Sequence, residues 1–367
     1  MAYSTINKSA SHFDVLKYDG NGATGSGQTI SGLNFQPDMT WIKSTNTTDG
    51  HTVQDVVRGF GSTTKLSTYD NSQENDSGGG SYGNYGYISA ATSDGFTVVA
   101  GSTPGQNNKS GNNYVSWNWK AGGAGSSNSD GNNITSTVSA NTTSGFSIVK
   151  WTGTGSASDT VGHGLGAIPD MIIVKKLSED GDWFVFHKDL PQGEAMTLNN
   201  THGQYSSSSQ LPNGIVSESS VTSSVFGFTG SSDVDNVNKS GVTHVAYCFR
   251  NIEGFCKVGV FRGNGQADGT FIYTGMKPNF VMTKKNGSAD WMIRDNKRDF
   301  NGQWRDLYAN NTNAHTSPDS NTQSDLLSNG FKLRMTHANH NGSGDQYVYI
   351  AIGQSLVGSN NVPCTAR

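Results

Sequence analysis

Apolar and polar residues alternate with a period of two along short runs throughout the chain, and Gly, Asn, Ser and Asp separate the runs at intervals of 8–15 residues. Alternation of this kind puts apolar side chains on one face of a strand and polar ones on the other, and the turn residues end each strand. FDVLKYD from Phe13, FSIVKWT from Phe146 and YVSWNWK from Tyr114 are examples. No apolar pattern with a period of 3.6 outlasts a turn or two, so the chain is predicted to be all-β. SDLLSNG around Leu326 is expected to form a helical turn at most.

Laid against itself, the chain repeats three times. An alternating strand ends in an aromatic and a Gly-x-Gly turn: Tyr18 with Gly20 and Gly22, Trp151 with Gly153 and Gly155, Phe261 with Gly263 and Gly265. Then Pro37, Pro169 and Pro278 each open a strand (PDMTWIK, PDMIIVK, PNFVMTK), with Lys43, Lys175 and Lys284 six residues on. A turn containing Gly111, Gly241 or Gly344 finally leads into a closing strand that begins at Tyr114, His244 or Tyr347. The pattern predicts three tandem antiparallel β-sandwich or jelly-roll domains, at residues 1–123, 124–253 and 254–353, with a tail at 354–367. AGGAGSSNSDGNN, between the first two units, has a flexible-linker composition, and ITSTVSA from Ile134 reads as an extra strand. The third unit follows the second almost without a gap, which implies that these two pack together.

In the closing strands Val115, Trp117 and Trp119 align with Val245, Tyr247 and Phe249 and with Val348, Ile350 and Ile352. This large apolar face is expected to be the core face of each sandwich. The opposite face, with Cys248 and Tyr349 among its residues, is mixed, and is expected to meet another strand, a neighbouring domain or a partner chain.

Composition narrows the function. A net charge of −4, a pI near 6.1 and no Lys/Arg cluster argue against nucleic-acid partners. No run approaches the length of a membrane span, and the start, MAYSTINK, lacks a secretory signal's apolar core. Three cysteines without metal-ligand spacing do not suggest a disulfide framework.

Gly20-Asn21-Gly22-Ala23-Thr24-Gly25 fits the dinucleotide fingerprint, but no helix follows to receive a pyrophosphate, so it reads as a turn. Trp117, Trp119, Trp183 and Trp291 recur in register and read as packing. The five Glu fall in turn-like segments without the paired carboxylates that glycan cleavage requires, so no catalytic residues, no cofactor and no metal are expected. His337 with His340 reads as a solvated loop, and neither Asp233 with Asp235 nor Glu179-Asp180-Gly181-Asp182 completes a calcium-loop spacing. The best binding candidate is the loop DSGGGSYGNYGY at residues 76–87, where Tyr82, Asn84, Tyr85 and Tyr87 stand on a small polar background typical of adaptable recognition loops.

The anchors F-x-x-x-x-Y-x-G-x-G, G-L-x-x-x-P-D-M-x-x-[IV]-K and [NT]-x-V-x-[WY]-x-[WF]-[KR] resemble an uncharacterised β-sandwich domain of marine bacteriophage structural proteins. They lie here at residues 13–22, at 32–43 and 164–175, and at 114–120 and 244–250. In the third unit Asn279 replaces the Asp after Pro. The resemblance implies a concanavalin A-like fold and a virion location, reached from the host cytoplasm without secretion. It brings no catalytic or ligand residues. The expected function is a tail-fibre or tail-associated virion protein, partnered by copies of itself, other virion proteins and host surface glycan. A capsid-decorating protein is the alternative, and a glycan-active enzyme the second alternative.

Overall fold

A computed structural model of the protein describes residues 4–76, 81–103, 105–191, 193–204, 216–228, 234–298, 305–315 and 323–357. The chain is all-β, with one short helix at Ala338–Asn341 and brief 3-10 turns besides. Among the described residues, seven strands recur in each repeat. In the first they are Phe13–Asp19, Gln28–Ser31, Met39–Ser44, Thr52–Asp55, Tyr87–Thr92, Gly95–Val99 and Asn113–Trp119. The second has Phe146–Thr152, Thr160–Gly162, Met171–Lys176, Phe184–His187, Val216–Ser217, Val225–Phe228 and Thr243–Phe249. The third has Cys256–Arg262, Phe271–Tyr273, Met276–Lys285, Met292–Asp295, Ser324–Leu327, Gly330–Leu333 and Gln346–Ser355.

All three repeats pair these strands in the same order. The first, seventh, third and fourth make one antiparallel sheet, and the second, sixth and fifth make a smaller one. Met196–Thr197, Ser126–Asn128 and Ser136–Asn141 extend the larger sheet of the second unit, and Leu307–Tyr308 extends that of the third. The expected linker at 121–133 thus includes a strand, because Ser126–Asn128 pairs with Ser136–Asn141. The stretch around Leu326 is also a strand rather than a helical turn, pairing with Gly330–Leu333 across a tight hairpin.

The two sheets of each unit bury a core between them. In the first, Tyr18, Ile42 and Tyr114 from the large sheet meet Ile30, Ile88, Phe96 and Val98 from the small one. Comparable clusters hold Trp151, Phe226 and Cys248 in the second unit, and Phe261, Phe331 and Tyr349 in the third. Of the covers expected for the mixed face, it is strands that pack there, those of each unit's own small sheet, and Cys248 and Tyr349 are buried.

The large apolar face does something else. Val115, Trp117, Trp119, Val245, Tyr247, Phe249, Val348, Ile350 and Ile352 all belong to one cluster drawn from all three units. The three large sheets turn these faces toward one another around a shared centre. Trp117 and Trp119 both pack edge-on against Phe280 of the third unit, and Trp119 against Phe249 of the second.

Cross-unit hydrogen bonds close this arrangement into a ring. Trp183 Nε1 of the second unit donates to Ser67 O of the first at 2.9 Å, and Trp291 Nε1 of the third to Thr197 O of the second at 2.8 Å. In the first unit His51 takes the indole's place, with Nε2 at 2.9 Å from Tyr308 O of the third unit. Trp41 Nε1 donates to His51 Nδ1 at 2.8 Å, so Nε2 carries the proton. Two of the three repeated lysines serve the same seams, while Lys43 Nζ donates within its own unit, to Ser44 O at 2.7 Å and Thr47 O at 3.2 Å. Lys175 Nζ donates to Gly181 O at 2.9 Å and to Asn71 O of the first unit at 3.2 Å. Lys284 Nζ donates to Ala289 O and, at 3.0 Å, to Thr201 O of the second unit. The chain's two ends meet at the third seam, where Ser9 N donates to Gln354 Oε1 at 2.8 Å.

Both glycines of each Gly-x-Gly turn have a structural reason. A Cβ on Gly20, Gly153 or Gly263 would stand 2.2–2.4 Å from a carbonyl oxygen of the turn before the closing strand. Gly22, Gly155 and Gly265 have φ of +76°, +77° and +67°, the left-handed region that favours glycine. Their amides donate to Asn108 O, Asn238 O and Asn341 O at 2.7–2.9 Å. The turn is thus a clasp between the opening and closing strands.

Candidate functional site

The residues singled out in the recognition loop separate on folding. Tyr82 starts a 3-10 turn, Tyr82–Tyr85, and is fully buried, its hydroxyl on Asp70 and its carbonyl accepting from Lys65 Nζ at 3.3 Å. Asn84 is exposed, while Tyr85 and Tyr87 are half-buried. Residues 77–80 of this loop lie outside the described residues. Burial of Tyr82 removes the aromatic that the loop was expected to present first.

The other candidates take up supporting contacts. Glu179 pairs with Lys239 at 2.6 Å, Asp180 accepts from Gln73 N at 2.9 Å, and Asp182 accepts from Asn199 Nδ2 at 2.7 Å. Asp233 lies outside the described residues. His337 caps the helix Ala338–Asn341 instead of standing in a solvated loop, and His340 is buried in it, where burial lowers its pKa to about 3. Among the described residues no three His, Cys, Asp or Glu side chains gather into a metal site. Burial pushes the Cys248 thiol up to about 12 and raises that of Cys256 as well, which keeps both protonated and unreactive. The central cavity, of about 30 Å³, is walled by Met39, Trp183, Phe280 and other apolar side chains, and has room for no ligand larger than water.

An aromatic surface stands out instead on the small sheet of the third unit. Phe271–Tyr273 is an edge strand, paired with Gly330–Leu333 so that Phe271 faces Lys332, Ile272 faces Phe331 and Tyr273 faces Gly330. Alternation sends Ile272 and Phe331 inward, where both are buried, and turns Phe271 and Tyr273 outward. They are 42 % and 64 % exposed, two of the four large hydrophobic side chains so exposed among the described residues. Charged groups frame them: Lys332 Nζ lies 2.8 Å from Asp268 Oδ1, Arg334 Nη1 3.0 Å from the same atom, and Arg334 Nε 2.7 Å from Asp325 Oδ2. The Lys332 hydrogen bond and charge, with Arg334 beside it, hold the Asp268 carboxyl below its usual range.

Equivalent strands in the other units put Thr29 and Ser31 beside the buried Ile30, and Thr160 and Gly162 beside the buried Val161. Exposed aromatics at this place are therefore peculiar to the third unit. The signal was present in the sequence as FIY at 271–273, an inverted alternation, but it shows as one only when the strand's inward residue is known.

Comparison with known families bears on the chain as a whole. A family model for a domain of unknown function, DUF7483, matches residues 8–355. The chain belongs to the DUF7483 family. That one DUF7483 match runs through all three repeats accords with a fold closed around one shared core. No curated protein and no solved structure matches this DUF7483 chain.

Proposed function

We propose that this DUF7483 protein is a non-enzymatic surface component of a bacteriophage particle, in which three jelly-roll-like units form a rigid support and the third presents a glycan-binding face. The observation that carries the reading is the pair Phe271 and Tyr273, side by side on the outer face of an edge strand and ringed by Asp268, Asp325, Lys332 and Arg334. Exposed rings offer flat apolar area for the C–H face of a sugar, and the charged groups around them can meet its hydroxyls. The phage location rests on the resemblance of the repeat anchors to phage structural proteins, and a tail position is preferred because adhesion is a tail task.

The test is binding of the purified protein to a glycan array and to host cells, with and without Phe271→Ala and Tyr273→Ala. Loss of a central aromatic anchor typically costs about 2 kcal/mol of binding, so each change is expected to weaken binding at least about tenfold while leaving the melting temperature unchanged. Undiminished binding by the double variant would remove this face from the account.

A second reading has its own observation. An edge strand carries unpaired backbone groups that another chain's strand can complete, so the same strand suits docking on a capsid shell. Antibody labelling of whole particles separates the two: label on the shell and not the tail supports the decorating protein.

A further inference from the structure

The three seams between units correspond residue by residue. One residue past each third strand, a carbonyl accepts a backbone N–H from a neighbouring unit: Leu177 O from Glu74 at 2.9 Å, Asn286 O from Gln204 at 2.7 Å, and Thr45 O from His315 at 2.9 Å. Glu74, Gln204 and His315 therefore hold equivalent places. Beside them stand the residues three past the ends of the fourth strands: Arg58 after Asp55, Leu190 after His187, and Arg298 after Asp295.

At the first seam the arginine is fully answered. Arg58 Nε pairs with Asp55 Oδ2 at 2.6 Å, and Nη1 donates to Thr64 O at 2.6 Å and to Glu74 Oε1 at 2.8 Å. The second seam has no charge to answer, since Leu190 and Gln204 stand there. At the third, Arg298 repeats the geometry, with Nε on Asp295 Oδ2 at 2.6 Å and Nη1 on Arg305 O at 2.6 Å. Here, however, His315 replaces Glu74, and among the described residues no second carboxylate reaches Arg298.

A cleft of about 250 Å³ opens at that place, lined by Lys17, Asp19, Asn113, Arg298, Arg305 and His315 among others. Lys17 is exposed and pairs with no carboxylate among the described residues, while Asp19 accepts from Asn113 Nδ2 at 2.5 Å. His315 Nδ1 is buried without a partner. Burial, with Arg298, Arg305 and Lys43 nearby, pushes this imidazole down to about 4, so the cation that the cleft offers an incoming anion is Lys17. The volume falls below the ~300–1,000 Å³ of drug-sized sites, which suits a small anion or a single acidic sugar.

We propose that the cleft between the third and first units binds an anionic group, a carboxylate or sulfate from an external ligand, in the place that Glu74 fills from within at the first seam. The site is separate from the aromatic face of the third unit and stands or falls independently of it.

The experiment measures the melting temperature of the whole protein in millimolar sodium glucuronate and in sodium sulfate, each against sodium chloride of equal ionic strength. The unaltered protein is expected to show a saturable upward shift. Lys17→Gln should weaken half-saturation about tenfold. His315→Gln, which installs the second seam's residue, should fold and keep a saturable response. His315→Glu should raise the melting temperature without ligand and abolish the response, because it supplies the carboxylate internally. A shift with sulfate alone assigns an inorganic anion, and one with glucuronate alone assigns a sugar acid. No shift in the unaltered protein would overturn the proposal. So would a non-saturating shift shared equally by all variants, which is the general effect of excluded salts.

Discussion

The ion pair at the first seam permits a demanding test of the ring. Asp55 Oδ1 accepts from Val57 N and Arg58 N, both at 3.0 Å, and Oδ2 accepts from Arg58 Nε at 2.6 Å and from Tyr247 OH of the second unit at 2.7 Å. Neither carboxylate nor guanidinium has more than 1 % of its side chain exposed. Asp55→Ala deletes all four bonds and leaves the buried Arg58 with Glu74 as its remaining carboxylate, at 2.8 Å. Breaking a buried pair from one side costs about 3–5 kcal/mol, much of it the penalty on the abandoned charge. The second seam shows an uncharged solution, with His187, Leu190 and Gln204 in the corresponding places and Ile350 of the third unit aligned with Tyr247. The quadruple change Asp55→His, Arg58→Leu, Glu74→Gln and Tyr247→Ile copies that set into the first seam. Because the charges are removed together, the quadruple variant avoids the penalty on an abandoned buried charge and is expected to lie within about 2 kcal/mol of the original. Guanidinium unfolding followed by tryptophan fluorescence reads both, with the midpoint compared at unchanged slope. If the quadruple variant were as unstable as Asp55→Ala, or the single change cost less than about 1 kcal/mol, the seams would not be interchangeable solutions to one packing problem.

Acid should weaken the fold through its buried histidines. Burial lowers the pKa of His51 and of His244 to about 3 and that of His187 to about 4. The unfolded chain takes up these protons near the ordinary 6.5 while the folded one does not, so the stability they support is full above about pH 6.5 and falls as pH drops toward 4. The slope reaches about 1.4 kcal/mol per pH unit for each histidine, and urea midpoints measured from pH 7.5 to 4.5 should decline accordingly; a flat profile would contradict neutral burial. The glycine clasp gives a graded pair. Gly20→Ala would press a Cβ to 2.2 Å from Lys109 O, whereas Gly25 has φ of +63° with nothing within 4 Å. The first should cost several kcal/mol and the second about 1 kcal/mol, read as thermal midpoints; equal losses would refute the clasp.

Much of the architecture was legible because the repeats share inward positions. Alignment of Trp117, Tyr247 and Ile350 marked them correctly as interior, and ITSTVSA from Ile134 correctly as an extra strand. What alternation does not reveal is which surface a strand's face closes upon. A face of Trp and Phe suits the inside of a small sandwich or the seam between sandwiches equally well, since both are dry. The cover of the mixed face was left open among another strand, a neighbouring domain and a partner chain for the complementary reason: Ser116, Asn118, Ala246 and Cys248 look half-polar, yet small side chains are what a closely packed second sheet requires, and Asn118 Nδ2 is satisfied by Asp14 O at 3.2 Å and by Ser116 Oγ at 3.0 Å. Tyr82 deceived similarly. Its glycine-rich neighbours suggested a presented loop, but a phenol can be buried once Asp70 accepts a hydrogen bond from its hydroxyl.

Traces of the ring nevertheless lie in the places where the repeats disagree. His51 stands where the other units have Trp183 and Trp291, and it is the seam to the third unit that it serves. Asp and Arg at the end of the fourth strand occur in the units whose seam partner can donate a hydrogen bond: Tyr247 OH to Asp55 at 2.7 Å, Trp117 Nε1 to Asp295 at 3.1 Å. His187 and Leu190 occur where the aligned closing-strand residue is Ile350, whose side chain has no donor, and His187 meets the backbone of Tyr349 and Gly259 of the third unit instead. Three independent sandwiches would have no reason to match the fourth strand of one unit to the closing strand of the next. Units that share a core do, because a buried carboxylate lacking a donor from across the seam would be costly. On the same logic, His315 stands where the first seam has Glu74, its Nδ1 is buried without a partner, and the position coincides with the cleft.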